Sequence, residues 1–187
     1  MKKSMIFVLV LFFLAFGLSA QGMYFDIGGG LGLGDSSSDV ISIDPEEGES
    51  FWGFGIKLGY GPFSSIPLFF AADAIGYTGE IGTYAMIGAS AVYYPIRLVQ
   101  LSAGAGYSLM VEPVVPQFGY NLKSSGFAIN TSVALDFGSG KRGLLLALHY
   151  TYFSLDITNV LNNNTADLTT HMFGLFIKYA SRNKSGR

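Results

Sequence analysis

His171-Met172-Phe173-Gly174-Leu175-Phe176-Ile177-Lys178-Tyr179 is the stretch whose reading decides the fold. Side chains of an extended chain alternate sides, so Phe173, Leu175, Ile177 and Tyr179 share one face. Met172, Gly174, Phe176 and Lys178 share the other. One face is apolar and ends in an aromatic, while the other carries a charge. A strand reads this way when its outer face meets lipid and its inner face lines a polar barrel.

The same alternation recurs upstream. From 22 to 34, Met23, Phe25, Ile27, Leu31 and Leu33 oppose Tyr24, Asp26 and a row of glycines. From 52 to 60, Trp52, Phe54, Ile56, Leu58 and Tyr60 oppose Gly53, Gly55, Lys57 and Gly59, with aromatics at both ends of the apolar row. Residues 98–111 and 126–137 alternate as cleanly, and 143–156 reads as the seventh strand. Residues 68–77 and 83–94 are extended but apolar on both faces, which leaves their parity open; Asp73 there shares a side with Phe69 and Ala71. All six prolines fall in connections or at strand edges, where the missing N–H costs no central ladder bond. The expected fold is all-β, an eight-stranded antiparallel up-and-down barrel, with strands near the length a tilted membrane-crossing strand needs. Connections one, five and seven are long, and two, four and six are short. Only the third, Thr78 to Gly82, breaks that rhythm.

Composition agrees with a lipid-facing exterior. Half the residues are apolar and only 13% are charged, about half the share of an ordinary soluble domain. A soluble barrel of the lipocalin type would need a charged exterior, which glycine, serine and alanine rows do not supply. Lys2 and Lys3 precede an apolar run from Met5 to Leu18 and then Ser19-Ala20, the pattern of a secretory signal peptide over 1–20. The run is short for an uncleaved anchor. Residues 21–187 then form the barrel domain, and no later stretch approaches eighteen consecutive apolar residues. There is no cysteine for a lipid attachment or a disulfide framework. The formal charge of -2 gives no reason to expect a nucleic-acid partner.

Gly174, Ile177 and Tyr179 stand at the spacing Gly-x-x-apolar-x-aromatic, which resembles the closing-strand insertion signal of bacterial outer-membrane β-barrels; Ala180 to Arg187 then read as a tail beyond it. The chain as a whole resembles small barrels of the OmpA, OmpX and OmpW kind. That resemblance implies an outer-membrane location, contact with outer-membrane lipid, and assembly by periplasmic chaperones and the barrel-assembly machinery. No residues remain for a peptidoglycan-binding domain.

Six ionisable residues fall on inner faces: Asp26, Lys57, Asp73, Asp136, His149 and Lys178. Charges there must be paired or wet. Asp26 on the first strand and Lys178 on the last should pair across the closing seam, with Lys57 and Asp136 nearby at similar depth. The interior of an eight-stranded barrel is just wide enough for side chains to fill, so an ion-paired plug is the leading reading. A polar lining for a narrow solute path is the alternative. Phe69, Phe176 and Met172 could occupy the room left by the glycines.

Asp35, Asp39, Asp44, Glu46, Glu47 and Glu49 make the first connection acidic, with no basic residue from Asp35 to Ile56. It reads as a solvated surface loop or as a site for an unidentified extracellular ligand, without the ordered spacing of a calcium loop. His149 and His171 lie on opposite faces and about four residues out of register, so no shared metal site is expected. His149-Tyr150-Thr151 resembles the His-x-Ser of outer-membrane lipid A deacylases only in outline: the hydroxyl is a threonine and the closing stretch offers no acid to orient the histidine. The functional expectation is a non-enzymatic outer-membrane barrel without cofactor or metal, having a structural or surface-interaction role. A narrow porin-like channel for small or hydrophobic solutes is second, and a lipid-modifying enzyme third.

Overall fold

A computed structural model describes residues 22–38, 49–62, 66–79, 82–111, 122–138, 142–159 and 165–182. Eight strands follow one another: β1 (Met23–Ser38), β2 (Glu49–Tyr60), β3 (Leu68–Thr78), β4 (Thr83–Ile96), β5 (Val99–Val111), β6 (Leu122–Asp136), β7 (Arg142–Asn159) and β8 (Thr165–Arg182). Each pairs antiparallel with its sequence neighbours, and β1 pairs with β8 to close the barrel. Closure removes the unpaired edges that an open sheet would present. Among the described residues no helix is long and apolar enough to cross a membrane.

The alternation resolves every strand into an inner and an outer row. On β3 the inner row is Phe69, Ala71, Asp73, Ile75 and Tyr77; on β4 it runs through Tyr84, Met86, Ser90, Val92 and Tyr94. Composition could not decide these two strands, because both rows are mostly apolar, with Phe70, Ala72, Ile87 and Ala89 outside against Phe69, Ile75, Met86 and Val92 inside. The outer surface carries large apolar side chains in the open, among them Leu148 at 66% and Ile87 at 65% exposure. Aromatic residues border this belt. Tyr60, Phe70, Phe137 and Tyr179 lie toward the end where the termini and short turns gather, while Trp52, Tyr107, Phe127 and Phe173 lie toward the other, the loop end.

Several strands run further than hydrophobic alternation shows. β1 continues to Ser38 and β2 begins at Glu49, so Asp35 and Glu49 are strand residues and not loop residues. β7 continues to Asn159 and β8 starts at Thr165, taking up much of the expected Asn-rich connection 157–167. Here the outer row turns polar while Leu155, Ile157 and Leu168 stay buried inside, and the ladder continues, as in Ser36↔Thr170 and Asp156↔Asp167. At the other end, β8 extends three residues past Tyr179 to Arg182, which pairs with Tyr24. The expected signal segment 1–20, Asp39, Asp44, Glu46 and Glu47 lie outside the described residues.

Candidate functional site

The lumen is the candidate site. Its terminal half holds three ion pairs among the described residues. Lys57 on β2 donates to Asp73 on β3 at 2.7 Å, where the two strands bring them into direct register. Lys178 and Asp26 face each other across the β1–β8 seam at 3.6 Å. Arg182 pairs with Asp136, reaching from β8 past β7 to β6. All six side chains are essentially buried. Three cations against three carboxylates leave these pairs formally neutral, which is the condition under which buried charge is tolerable.

Neutral groups knit the pairs together. Asn130 donates to Asp73 at 3.0 Å, and the Lys57 ammonium lies 3.3 Å from Ser102 Oγ, which is 2.7 Å from Ser132 Oγ. Below them, Gln100 donates to both Tyr24 and Tyr94, and Tyr24 donates to Asp26 at 2.5 Å. The Arg182 guanidinium donates to the Tyr94 hydroxyl at 3.2 Å and stands over that ring at 4.8 Å. Tyr24, Phe69, Ala71, Val92 and Tyr94 form a small apolar cluster at this end of the lumen.

Toward the loop end the lumen turns aromatic. Phe51, Tyr77, Tyr84, Phe153 and Phe176 pack with Met86, Met172 and Leu155 into one buried cluster. Their ring pairs are mostly edge-to-face, such as Tyr77 on Phe176 at 5.9 Å and Tyr77 on Phe153 at 6.2 Å. Glycine supplies the space for this packing: a Cβ on Gly174 would come within 2.7 Å of the Phe176 ring, and one on Gly53 would collide with it.

His149 sits at the boundary between the halves. Its ring lies 4.4 Å from that of Phe176, and neither ring nitrogen has a hydrogen-bond partner among the described residues. His171 is on the outer face, where its Nδ1 is 2.8 Å from the Tyr150 hydroxyl. The register corrects the expected offset of the two histidines from about four residues to three, since Tyr152 stands opposite His171. Among the described residues no group of three potential metal ligands converges.

The structure thus brings Asp26 to Lys178 and Lys57 to Asp73, and gives Asp136 a partner absent from the expected set, Arg182. That residue was hidden by treating Tyr179 as the end of the strand. The signal that could have found it is the continued parity of Lys178, Ala180 and Arg182. Gly174 faces the lumen, whereas Ile177 and Tyr179 belong to the outer row.

No protein-family model and no curated protein matches the chain. Among solved structures, it is similar to the crystal structure of Neisserial surface protein A, with 17% identity, a TM-score of 0.52, and coverage of 87% of this chain and 97% of that one. The Pseudomonas aeruginosa outer-membrane protein OprG aligns at 14% identity and a TM-score of 0.47, over 87% of this chain and 97% of that one. Ail, the attachment invasion locus protein of Yersinia pestis, aligns at 13% and 0.48, over 85% and 99%. At such identities it is the fold that is shared, and the fold of this chain is that of the small eight-stranded outer-membrane β-barrels.

Proposed function

We propose that the protein is a non-enzymatic integral barrel of a bacterial outer membrane, with a plugged lumen and a structural or surface-interaction role. The observation that carries this reading is the filling of the lumen from two sides: an ion-paired, hydrogen-bonded half against a cluster of interlocked aromatic rings. An interior built this way stiffens a wall and leaves interaction to the outer surface and the loop end. The apolar outer belt supports membrane insertion after export and assembly by the periplasmic chaperones and barrel-assembly machinery. The acidic segment from Asp35 to Glu49, which begins in β1 and ends in β2, is the part offered to an extracellular ligand.

Solute uptake into liposomes containing the folded protein tests this. The plugged barrel admits small sugars and ions no faster than protein-free liposomes, with unheated against boiled gel mobility reporting folding. Shortening 35–49 then removes surface binding and leaves folding intact.

A narrow channel is the second reading, and one observation favours it. Asn130 Oδ1, Ser108 Oγ and both His149 nitrogens are buried without hydrogen-bond partners among the described residues, and such groups bond to water or to a passing solute. Uptake that changes on Lys57→Ala or Asp73→Ala would establish that reading. The lipid-modifying enzyme has no comparable support: His149 faces the lumen against Phe176, and the Thr151 hydroxyl is engaged with Tyr77 at 3.0 Å.

A further inference from the structure

Among the described residues, His149 is an ionisable side chain of the lumen with neither an ion pair nor a hydrogen bond. It is 3% exposed and faces inward from β7. Its close contact is with a ring, Phe176, whose centroid lies 4.4 Å away at an interplanar angle of 36°. Phe176 in turn packs edge-on against Tyr77 at 5.9 Å and fills the notch at Gly53. His149 therefore backs the ring by which the aromatic half of the plug meets the ion-paired half.

The groups around the imidazole define what a proton would do there. From β8 and β2, the ammonium ions of Lys178 and Lys57 act on the ring. Asp26 on β1 and Asp73 on β3 are committed to those two lysines, at 3.6 and 2.7 Å. Tyr77 on β3 is engaged with Thr151, and β6 brings the neutral Asn130 and Ser132 alongside. An imidazolium formed here meets two like charges, and no described carboxylate is free to answer it. One acceptor is open to it. Asn130 Oδ1 is buried without a hydrogen-bond partner, and Asn130 is a diagonal neighbour of His149, because Ser132 stands opposite the histidine. The same amide donates through Nδ2 to Asp73 at 3.0 Å, so a hydrogen bond accepted at Oδ1 is coupled through it to a carboxylate.

We propose that His149 is an acid-operated latch of the lumenal plug. While the ring is neutral it stacks on Phe176 and the lumen is shut. A proton taken from the aqueous phase makes the ring a cation, which Lys57 and Lys178 repel. The ring then leaves Phe176 and donates to Asn130 Oδ1, and Phe176, no longer backed, gives way to a path for small ions. The two arrangements are discrete, as a switch requires, and each has its partner in place. The latch rests on the plugged reading of the lumen and adds to it a condition under which the plug opens.

Ion conductance of the folded protein in planar bilayers, followed from about pH 7.5 down to about pH 4.5, tests the latch. The barrel conducts no more than bare bilayer at the neutral end. On acidification it opens reversibly, by up to about tenfold per pH unit, the slope of one linked proton. His149→Phe keeps a ring against Phe176 but takes no proton, and it stays shut throughout. If that variant does not fold by gel mobility, His149→Gln makes the same point. His171→Gln, on the outer face, keeps the acid response; it also leaves His149 as the chain's one histidine, whose ring-nitrogen resonances titrate together with the opening. Asn130→Ser, too short to reach the ring, moves the opening to lower pH. Opening that persists in His149→Phe belongs to the carboxylates Asp26, Asp73 and Asp136 and overturns the latch, as does a wild-type barrel shut over the whole range. An opening unmoved by Asn130→Ser overturns the acceptor assignment. Free conductance at the neutral end overturns the plug itself, and the latch with it.

Discussion

The two halves of the lumen solve the same problem, filling a narrow barrel, by opposite means. The terminal half matches charge: each of its three cations has a carboxylate, and Asn130, Gln100 and the tyrosines take up remaining hydrogen-bonding capacity. The loop half matches shape, with rings interlocked around notches at Gly53 and Gly174. Charge matching is intolerant of lost partners, because a single buried ion left alone costs more than its pair contributes. Shape matching is intolerant of changed volume but indifferent to chemistry, provided the replacement is apolar.

Substitutions can break or sharpen that contrast. Asp73→Asn preserves size yet strands the Lys57 ammonium, so it should destabilise the barrel by about 3 to 5 kcal/mol in urea unfolding from lipid vesicles. A double change, Lys57→Met with Asp73→Leu, should recover most of that loss; no recovery would mean the pair does more than neutralise itself. Gly53→Ala tests shape. The added methyl displaces the Phe176 ring and should cost about 1 to 3 kcal/mol, with altered near-ultraviolet circular dichroism from the aromatic cluster. Met172→Leu keeps volume within the same cluster and should cost less than about 1.5 kcal/mol, although Met172 is as buried as Asp26. The smallest effect belongs to the boundary. His149→Phe removes two unpartnered nitrogens beside Phe176 and should be neutral or slightly stabilising in the same unfolding assay. A large loss there would assign His149 to the charge network.

These halves were unequally legible in the sequence. Asp26, Lys57, Asp136 and Lys178 could be assigned to the lumen because their strands alternate cleanly, and the β1–β8 pairing of Asp26 with Lys178 follows from closure. Residues on β3 and β4 were harder, since apolar side chains on both rows give no contrast between faces. Tyr84 and Met86, both in the aromatic cluster, were therefore not singled out. Where strands leave the apolar belt, the outer row becomes polar and the apolar-out, polar-in contrast is lost while the ladder continues, which is why Asp35, Glu49 and Arg182 were placed outside strands they belong to. The partners of the charges were legible only when register was: Lys57↔Asp73 depends on the length of the β2–β3 turn, and Arg182 on a strand end that an interfacial tyrosine disguised.

The Asp26–Lys178 contact lies on the one strand pair that joins the two ends of the chain, and this gives it a part in proofreading. A slip of one residue at that seam would turn every β8 side chain to the wrong face, an error that hydrophobicity itself rejects. A slip of two would not, for the lumenal row would stay lumenal and the lipid row lipid-facing. Lys178 stands opposite Gly28 and reaches Asp26 on the diagonal, so a slip of two that lengthens that diagonal carries the ammonium away from its carboxylate and leaves both ions uncompensated inside a closing cylinder. Apolar alternation therefore excludes odd misregistrations, and the buried seam pair disfavours the even one that draws its two ions apart.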